Sequence, residues 1–280
     1  MFRTIVLFII GWAVAASVSG QDMSTDSLMD AGNDSVQIGS HTEFSSKRSE
    51  TNVTKGEGDS AYMKNDYAAA IQIYETLLQQ GEAAELYYNL GNSYYKSNNI
   101  AKAVLNYERA LLLSPGNADV RANLEIARAK TVDKVTPIPD IFFVAWIKAL
   151  VNRLGVDTWA KLGITFFLLF LISCALFFFS KQVGMKKTGF IAGIFFLVFT
   201  ICCNLSASYQ KDKLLNRTGA IVLSPSVTVR STPSESGTSL FILHEGHKVE
   251  IKDDTMRDWK EIQLEDGKVG WLPASAIEII

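Results

Sequence analysis

Hydrophobic and polar positions divide the chain into zones of different period. Residues 1–20 open with Arg3, run apolar over 5–16 and end in small residues at 15–20. A positive start, a short apolar centre and a small-residue exit predict a secretory signal peptide; an uncleaved anchor is the other reading of this pattern. Residues 21–57 are rich in Ser, Asp, Thr, Asn, Gly and Glu, with no periodic apolar face. Such a segment buries too little surface to offset its ordering entropy, which predicts a disordered linker. Over 58–131 apolar positions recur at helical spacing. Pro137 and Pro139 break that pattern, and 141–155 follows as an apolar stretch too short to span a bilayer, interrupted by Lys148 and Arg153 and carrying Trp146. An interfacial helix is predicted there. The segments 162–180 and 188–209 hold no charge. The first would be roughly 28 Å long as a helix, against a hydrocarbon core of about 30 Å, so both read as transmembrane helices. From 218 to 280 the period becomes two: Val227 and Val229, Val249 and Ile251, Ile262 and Leu264 alternate with polar residues. Asp266-Gly267 is a hairpin signal, and five to six short strands are expected.

The helical zone repeats itself. Gly58, Tyr62, Tyr67, Ala70 and Tyr74 pair with Gly91, Tyr95, Ile100, Ala103 and Tyr107 at a constant offset of 33 residues. Gly91 and Ala103 are small where two antiparallel helices must approach closely, and Tyr94, Ile100 and Tyr107 fill the space around them. Pro115-Gly116-Asn117 stops the second helix, because proline cannot continue one. The spacing and residue types resemble tetratricopeptide (TPR) repeats, whose period is about 34 residues. Tyr87, Leu90 and Gly91 fit that pattern, and the match over 84–117 is close to complete. Repeat one, about 51–83, begins weakly in TNVTKGEG, at the end of the linker, and carries Leu77 where a small residue is usual. Residues 118–131, with Leu124, Ile126 and Ala127, read as a capping helix.

The C-terminal order VTVRSTPS, LHEGHKVEI, DWKEIQLEDGKVGWLP resembles bacterial SH3 domains, with Arg230, Pro233, Gly246, Trp259, Gly267, Gly270 and Trp271 at recurrent positions. The fold class expected is therefore a multidomain membrane protein: all-α TPR repeats, two transmembrane helices and a C-terminal all-β SH3-like barrel.

Charge is nearly balanced, Lys+Arg 27 against Asp+Glu 29, which argues against nucleic acid as a partner. Cys174, Cys202 and Cys203 all lie in apolar stretches and imply no disulfide framework. Cys202–Cys203 reads either as a metal or redox pair or as two small apolar residues, and adjacent helical side chains diverge. His244-Glu-Gly-His247 lacks the metalloprotease spacing and reads as a polar turn. With no phosphate loop, nucleophile elbow or dinucleotide fingerprint, no catalytic residue, metal or cofactor is expected, and the chain reads as a non-enzyme.

Recognition surfaces remain. The TPR resemblance implies a concave groove lined by the first helix of each repeat. Register places Lys55, Asp59, Tyr62 and Met63 there from repeat one, and Glu85, Tyr88, Asn92, Tyr95 and Lys96 from repeat two. The partner-binding set expected is Tyr62, Met63, Tyr88, Asn92, Tyr95 and Lys96, with a helix or extended peptide as ligand. Tyr62 and Tyr95 can alternatively be explained by packing between helices. In the barrel, Trp259 is out of phase with Ile262 and Leu264, whereas Trp271 is in phase with Val269. An exposed pair would form a peptide groove; bulges would turn both inward instead.

The segment 181–187, with Lys181, Lys186 and Lys187 and no acid, reads as a cytoplasmic loop. The signal peptide then sends both soluble modules to the periplasmic side of an inner membrane. This order of modules, and the string LFILHEGHKVEIKDD, resemble the BatE-like proteins of aerotolerance (Bat) operons. The resemblance implies an envelope scaffold linked to stress tolerance, with membrane-bound von Willebrand factor A-type Bat proteins as partners beside the lipid bilayer. Binding of peptidoglycan through the SH3-like domain is the alternative.

Overall fold

A computed structural model describes residues 53–134 and 141–280. The predicted signal peptide, the predicted linker up to 52 and the two prolines at 137 and 139 lie outside the described residues.

Five helices form the first layer: α1 (Lys55–Met63), α2 (Tyr67–Leu78), α3 (Ala84–Lys96), α4 (Ile100–Leu113) and α5 (Ala118–Arg128). Helix α1 begins inside the stretch read as linker. Its start is a capping box, in which the Thr54 hydroxyl accepts from the Glu57 amide and the Glu57 carboxylate accepts from the Thr54 amide. Asp66, Asn99 and Asn117 cap α2, α4 and α5 with their side chains. The repeat seen in the sequence is also a repeat of contacts. Asn65 and Asn98, 33 residues apart, both take φ 62° in the tight turn after the first helix of their repeat. A Cβ on Gly58 would stand 2.6 Å from the Tyr74 ring, and one on Gly91 2.7 Å from the Tyr107 ring. The Tyr74 hydroxyl donates to Asp59 (2.6 Å) and the Tyr107 hydroxyl to Asn92 (2.8 Å), again equivalent positions.

Helix α6 (Phe142–Val151) leads into α7 (Val156–Phe179) and α8 (Val183–Leu215). Both α7 and α8 are long and apolar enough to cross a membrane. They pack along their length, with Gly189 against the Ser173–Phe177 backbone and Gly163 against Cys203 and Asn204. Lys186 and Lys187 stand in the first turn of α8, so the basic segment 181–187 is mostly helix, and only 180–182 separates the two spans. The 33 residues of α8 make it about 50 Å long, some 20 Å more than a hydrocarbon core needs. Its last turn leads into β1 within a few residues.

Seven antiparallel strands follow: β1 (Gly219–Val222), β2 (Ser226–Arg230), β3 (Ser239–His244), β4 (Lys248–Asp253), β5 (Trp259–Gln263), β6 (Val269–Pro273) and β7 (Ile277–Ile279), in the order β3-β2-β6-β5-β4-β1-β7. Five to six were expected. The additional one, β7, pairs with β1 and is only three residues long. The Asp266-Gly267 hairpin joins β5 to β6, with Gly267 at φ 87°. Val227, Val229, Leu243, Val249, Ile251, Ile262, Leu264 and Leu272 enclose the barrel core.

Strand β1 reads as a continuous apolar run because both its faces are covered. Ala220 and Val222 enter the barrel core, whereas Ile221 enters the TPR core together with Ile280. The two soluble modules thus share apolar packing, and the chain is a multidomain membrane protein of all-α repeats, two spans and an all-β barrel.

Candidate functional site

The face that the TPR resemblance marks as a groove is built on α3. Tyr88, Asn92 and Tyr95 recur at helical spacing on one side of it. Helix α5 and the turn after it complete the surface. Asn123 donates to the Tyr88 hydroxyl (3.1 Å) and to Asn92 Oδ1 (2.9 Å), and the Lys130 ammonium sits 4.2 Å from the Tyr95 ring centroid. Asn92 Oδ1 already accepts from Tyr107 and Asn123, so only its amide group remains to offer a ligand. Tyr62 is half-buried, edge-on to Tyr67 at 5.5 Å, and burial with the neighbouring Tyr67 and Tyr88 raises its phenol above the ordinary value. Met63, 79% exposed, and the exposed Lys96 end α1 and α3. Asp59 is held by Tyr74, by Asn89 (3.0 Å) and by Lys55 (3.2 Å). Tyr88, Asn92 and Tyr95 are thus brought together. Tyr62 packs as much as it presents. Asn123 and Lys130 were missed by sequence reasoning, which read 118–131 only for its apolar positions.

On the barrel, register decides the two tryptophans. Glu261 faces Trp271 and Trp259 faces Pro273 across the β5–β6 ladder, so both rings stand on the face opposite Ile262 and Leu272. The bulges fall elsewhere, at Val229/Arg230 and Ile251/Asp253, and the period-two phase holds. Both rings are half-exposed, with the exposed Val269 on the same face and Arg230 paired with Trp271. This is an aromatic surface and not part of the core.

Polar contacts fasten the barrel to the outer helices of the TPR layer. Glu108 of α4, 8% exposed at its side chain, accepts from Lys248 of β4 (2.7 Å) and from Arg128 of α5. Burial alone would raise its carboxyl, but these two cations hold it below the ordinary value. Arg109 bonds Glu278 (3.0 Å) and the Ile279 carbonyl (2.5 Å). Arg217, where α8 gives way to the barrel, grips both oxygens of Glu82 (2.8 and 2.5 Å). That guanidinium lowers the Glu82 carboxyl to about 2, while burial followed by the Glu82 charge pushes the Tyr87 phenol up to about 12. Asp133 accepts from the His244 amide (2.7 Å) and bonds its ring at 2.8 Å. The His244–His247 turn, with Gly246 at φ 82°, is therefore a docking element, and His247 is buried beside it. Among the described residues no group of His, Cys, Asp and Glu is arranged to hold a metal.

Helix α6 is exposed from 141 to 150. Its end is held by α8 and α7: Gln210 of α8 donates to the carbonyls of Val151 (2.6 Å) and Leu154 (2.7 Å), and the Trp159 indole also donates to Val151 (2.9 Å).

No curated protein matches the chain. Residues 84–117 match the tetratricopeptide repeat family, and residues 225–278 match the bacterial SH3 domain family. Both are typically non-catalytic interaction modules, and neither indicates an enzyme family.

Proposed function

We propose that this protein is a membrane-anchored adaptor of the cell envelope, holding two recognition surfaces on one body at the outer face of an inner membrane. The observation that carries this reading is the docking of the barrel on α4 and α5. It uses the outer helices and leaves the groove residues Tyr88, Asn92 and Tyr95 uncovered by the barrel. The TPR layer precedes α7 and the barrel follows α8, so their contact favours one side of the membrane for both. Lys181, Lys186 and Lys187 at the far end of the spans favour the cytoplasm for the turn, and hence the periplasm for the modules. Phe142, Phe143, Trp146 and Leu150 of α6, all exposed, suit the lipid interface.

The order of modules supports membership of the BatE-like group and von Willebrand factor A-type membrane proteins as partners of the groove. Met63→Glu with Lys96→Glu changes two exposed residues and spares the fold. In a mild-detergent pull-down with the full chain, this pair of changes is expected to remove the membrane partners; an unchanged partner list contradicts the reading.

The half-exposed Trp259 and Trp271 favour a second reading, in which the barrel binds peptidoglycan. Full-length protein should then sediment with purified sacculi, and Trp259→Ala/Trp271→Ala should stay in the supernatant. Equal sedimentation of both rules it out.

A further inference from the structure

Three parts of the chain converge just past the uncharged stretch of α8, which ends at Tyr209. Gln210 of α8 donates to the carbonyls of Val151 and Leu154, at the α6–α7 turn (2.6 and 2.7 Å). Gly116, in the α4–α5 turn, lies so close to the Arg153 carbonyl of that same turn that a Cβ would stand 2.3 Å from it. Arg121 of α5 donates to the Pro115 carbonyl (2.6 Å), beside Gly116. These contacts tie Arg121 and the end of α8 to one pair of turns. Both line a cavity of about 530 Å³, whose barrel side carries Lys248, Glu250 and Glu265.

The charges on this wall are unequally satisfied. Lys248 is taken by Glu108, and Arg217 by Glu82. Glu250 meets only Lys252, at 3.4 Å and with its carboxylate more than half exposed. Arg121, Lys213 and Glu265 are exposed and, among the described residues, form no ion pair. Lys213 lies 5.0 Å from the Tyr209 ring centroid, a contact that leaves its ammonium N–H donors to an anion. The helix side of the cavity thus offers two uncommitted cations. The barrel side offers one uncommitted carboxylate and one loosely held.

Depth relative to the lipid narrows the ligand. With α7 and α8 in a bilayer, the reading on which this inference rests, Lys213 stands four residues past Tyr209, about 6 Å along the helix. The polar layer outside the hydrocarbon is about 5–8 Å thick on each side, so Lys213 and the cavity it lines lie at the level of lipid headgroups. A phosphodiester there meets the unused donors of Lys213 and Arg121. A purely anionic head would set its charge against Glu265 and Glu250 as well, whereas an amine on the same head pairs with them. Leu111, Leu112 and Ile280 add apolar wall for the glycerol and the first methylenes. We propose that this cavity is a lipid site that takes the head of an aminophospholipid, its phosphate toward Lys213 and Arg121 and its ammonium toward Glu265 and Glu250.

The test is native mass spectrometry of the full chain in neutral detergent, titrated with dioleoyl phosphatidylethanolamine or dioleoyl phosphatidylglycerol. One phosphatidylethanolamine per chain is expected, held at least about fivefold more tightly than phosphatidylglycerol and weakened at least about fivefold by Arg121→Gln with Lys213→Gln. Both residues are exposed, so Tm should not change. Equal affinity for the two lipids, or equal binding by this variant, overturns the proposal. Should the variant lose Tm as well, Glu250→Gln with Glu265→Gln decides: loss of the preference for the amine head supports the site, and a retained preference refutes it. Phosphoethanolamine without acyl chains, if bound as tightly as the lipid, would overturn the lipid assignment. Carbonate extraction of membranes separates the two readings: a chain released by it overturns the membrane placement, whereas an inserted chain that fails the titration overturns the lipid site alone.

Discussion

Glu108 shows how a single residue ties the modules together. It is a carboxylate that is almost fully buried, and it is tolerated because Lys248 and Arg128 both reach it. Removing one partner of a buried pair leaves an uncompensated charge, which costs roughly 3–5 kcal/mol. Arg128 still reaches Glu108 in Lys248→Met, so that change should lower stability by less than that range in denaturant unfolding, and Lys248→Met with Glu108→Leu should recover much of it. Acid acts on the same interface through several groups. His247 has its pKa lowered from 6.5 by burial, so the folded state binds fewer protons than the unfolded one; its stabilisation is full above about 6.5 and is lost as pH falls below that value. Glu82, held at about 2 by Arg217, contributes fully above 4.5 and loses its share between 4.5 and about 2. Tm should fall in two stages on acidification. Arg217→Met should reduce the lower stage, which Glu108 and Asp133 share, and leave the upper one; an unchanged lower stage would contradict this assignment.

Elements in this chain are placed by residue patterns of very different legibility. The close approach of α3 to α4 was written plainly, since Gly91 and Tyr107 repeat Gly58 and Tyr74. Gly91→Ala gains about 1 kcal/mol in helix propensity but forces a methyl into the Tyr107 ring, at a cost of about 1–3 kcal/mol. Net destabilisation is expected in thermal unfolding, relieved when Tyr107 is also replaced by Leu. Strand phase left Trp259 and Trp271 open between an exposed pair and the core, and it is the β5–β6 register that puts both on one face. Strand β7 escaped notice because three residues cannot display a period. The starts and ends of α1, α7 and α8 also differed from the composition boundaries. Helices are set by caps such as Thr54–Glu57 and by packing, and they continue past the point where apolar residues stop. The aromatic surface of the groove was half legible: α3 supplied its residues in register, but Asn123 and Lys130 join it only through the packing of α5.

At the scale of the whole molecule, nothing in the sequence announced that the modules touch. The contacts join residues more than a hundred positions apart, as in Glu82–Arg217 and Asp133–His244. Each partner taken alone looks like an ordinary surface charge. Ile221 and Ile280 add apolar burial to these pairs, and burying a side chain of that size is worth about 1.5–3 kcal/mol. The result joins two interaction modules into one body, carried on a helix longer than a hydrocarbon core needs. Distance between the modules in the intact membrane is the most direct measurement. Asp133→Cys with His244→Cys, in a chain whose native cysteines are replaced by alanine, should be joined by a short bis-maleimide in membrane vesicles and run as a cross-linked monomer. If each cysteine reacts singly with maleimide yet the pair never cross-links, the modules are not docked and the single-body account fails.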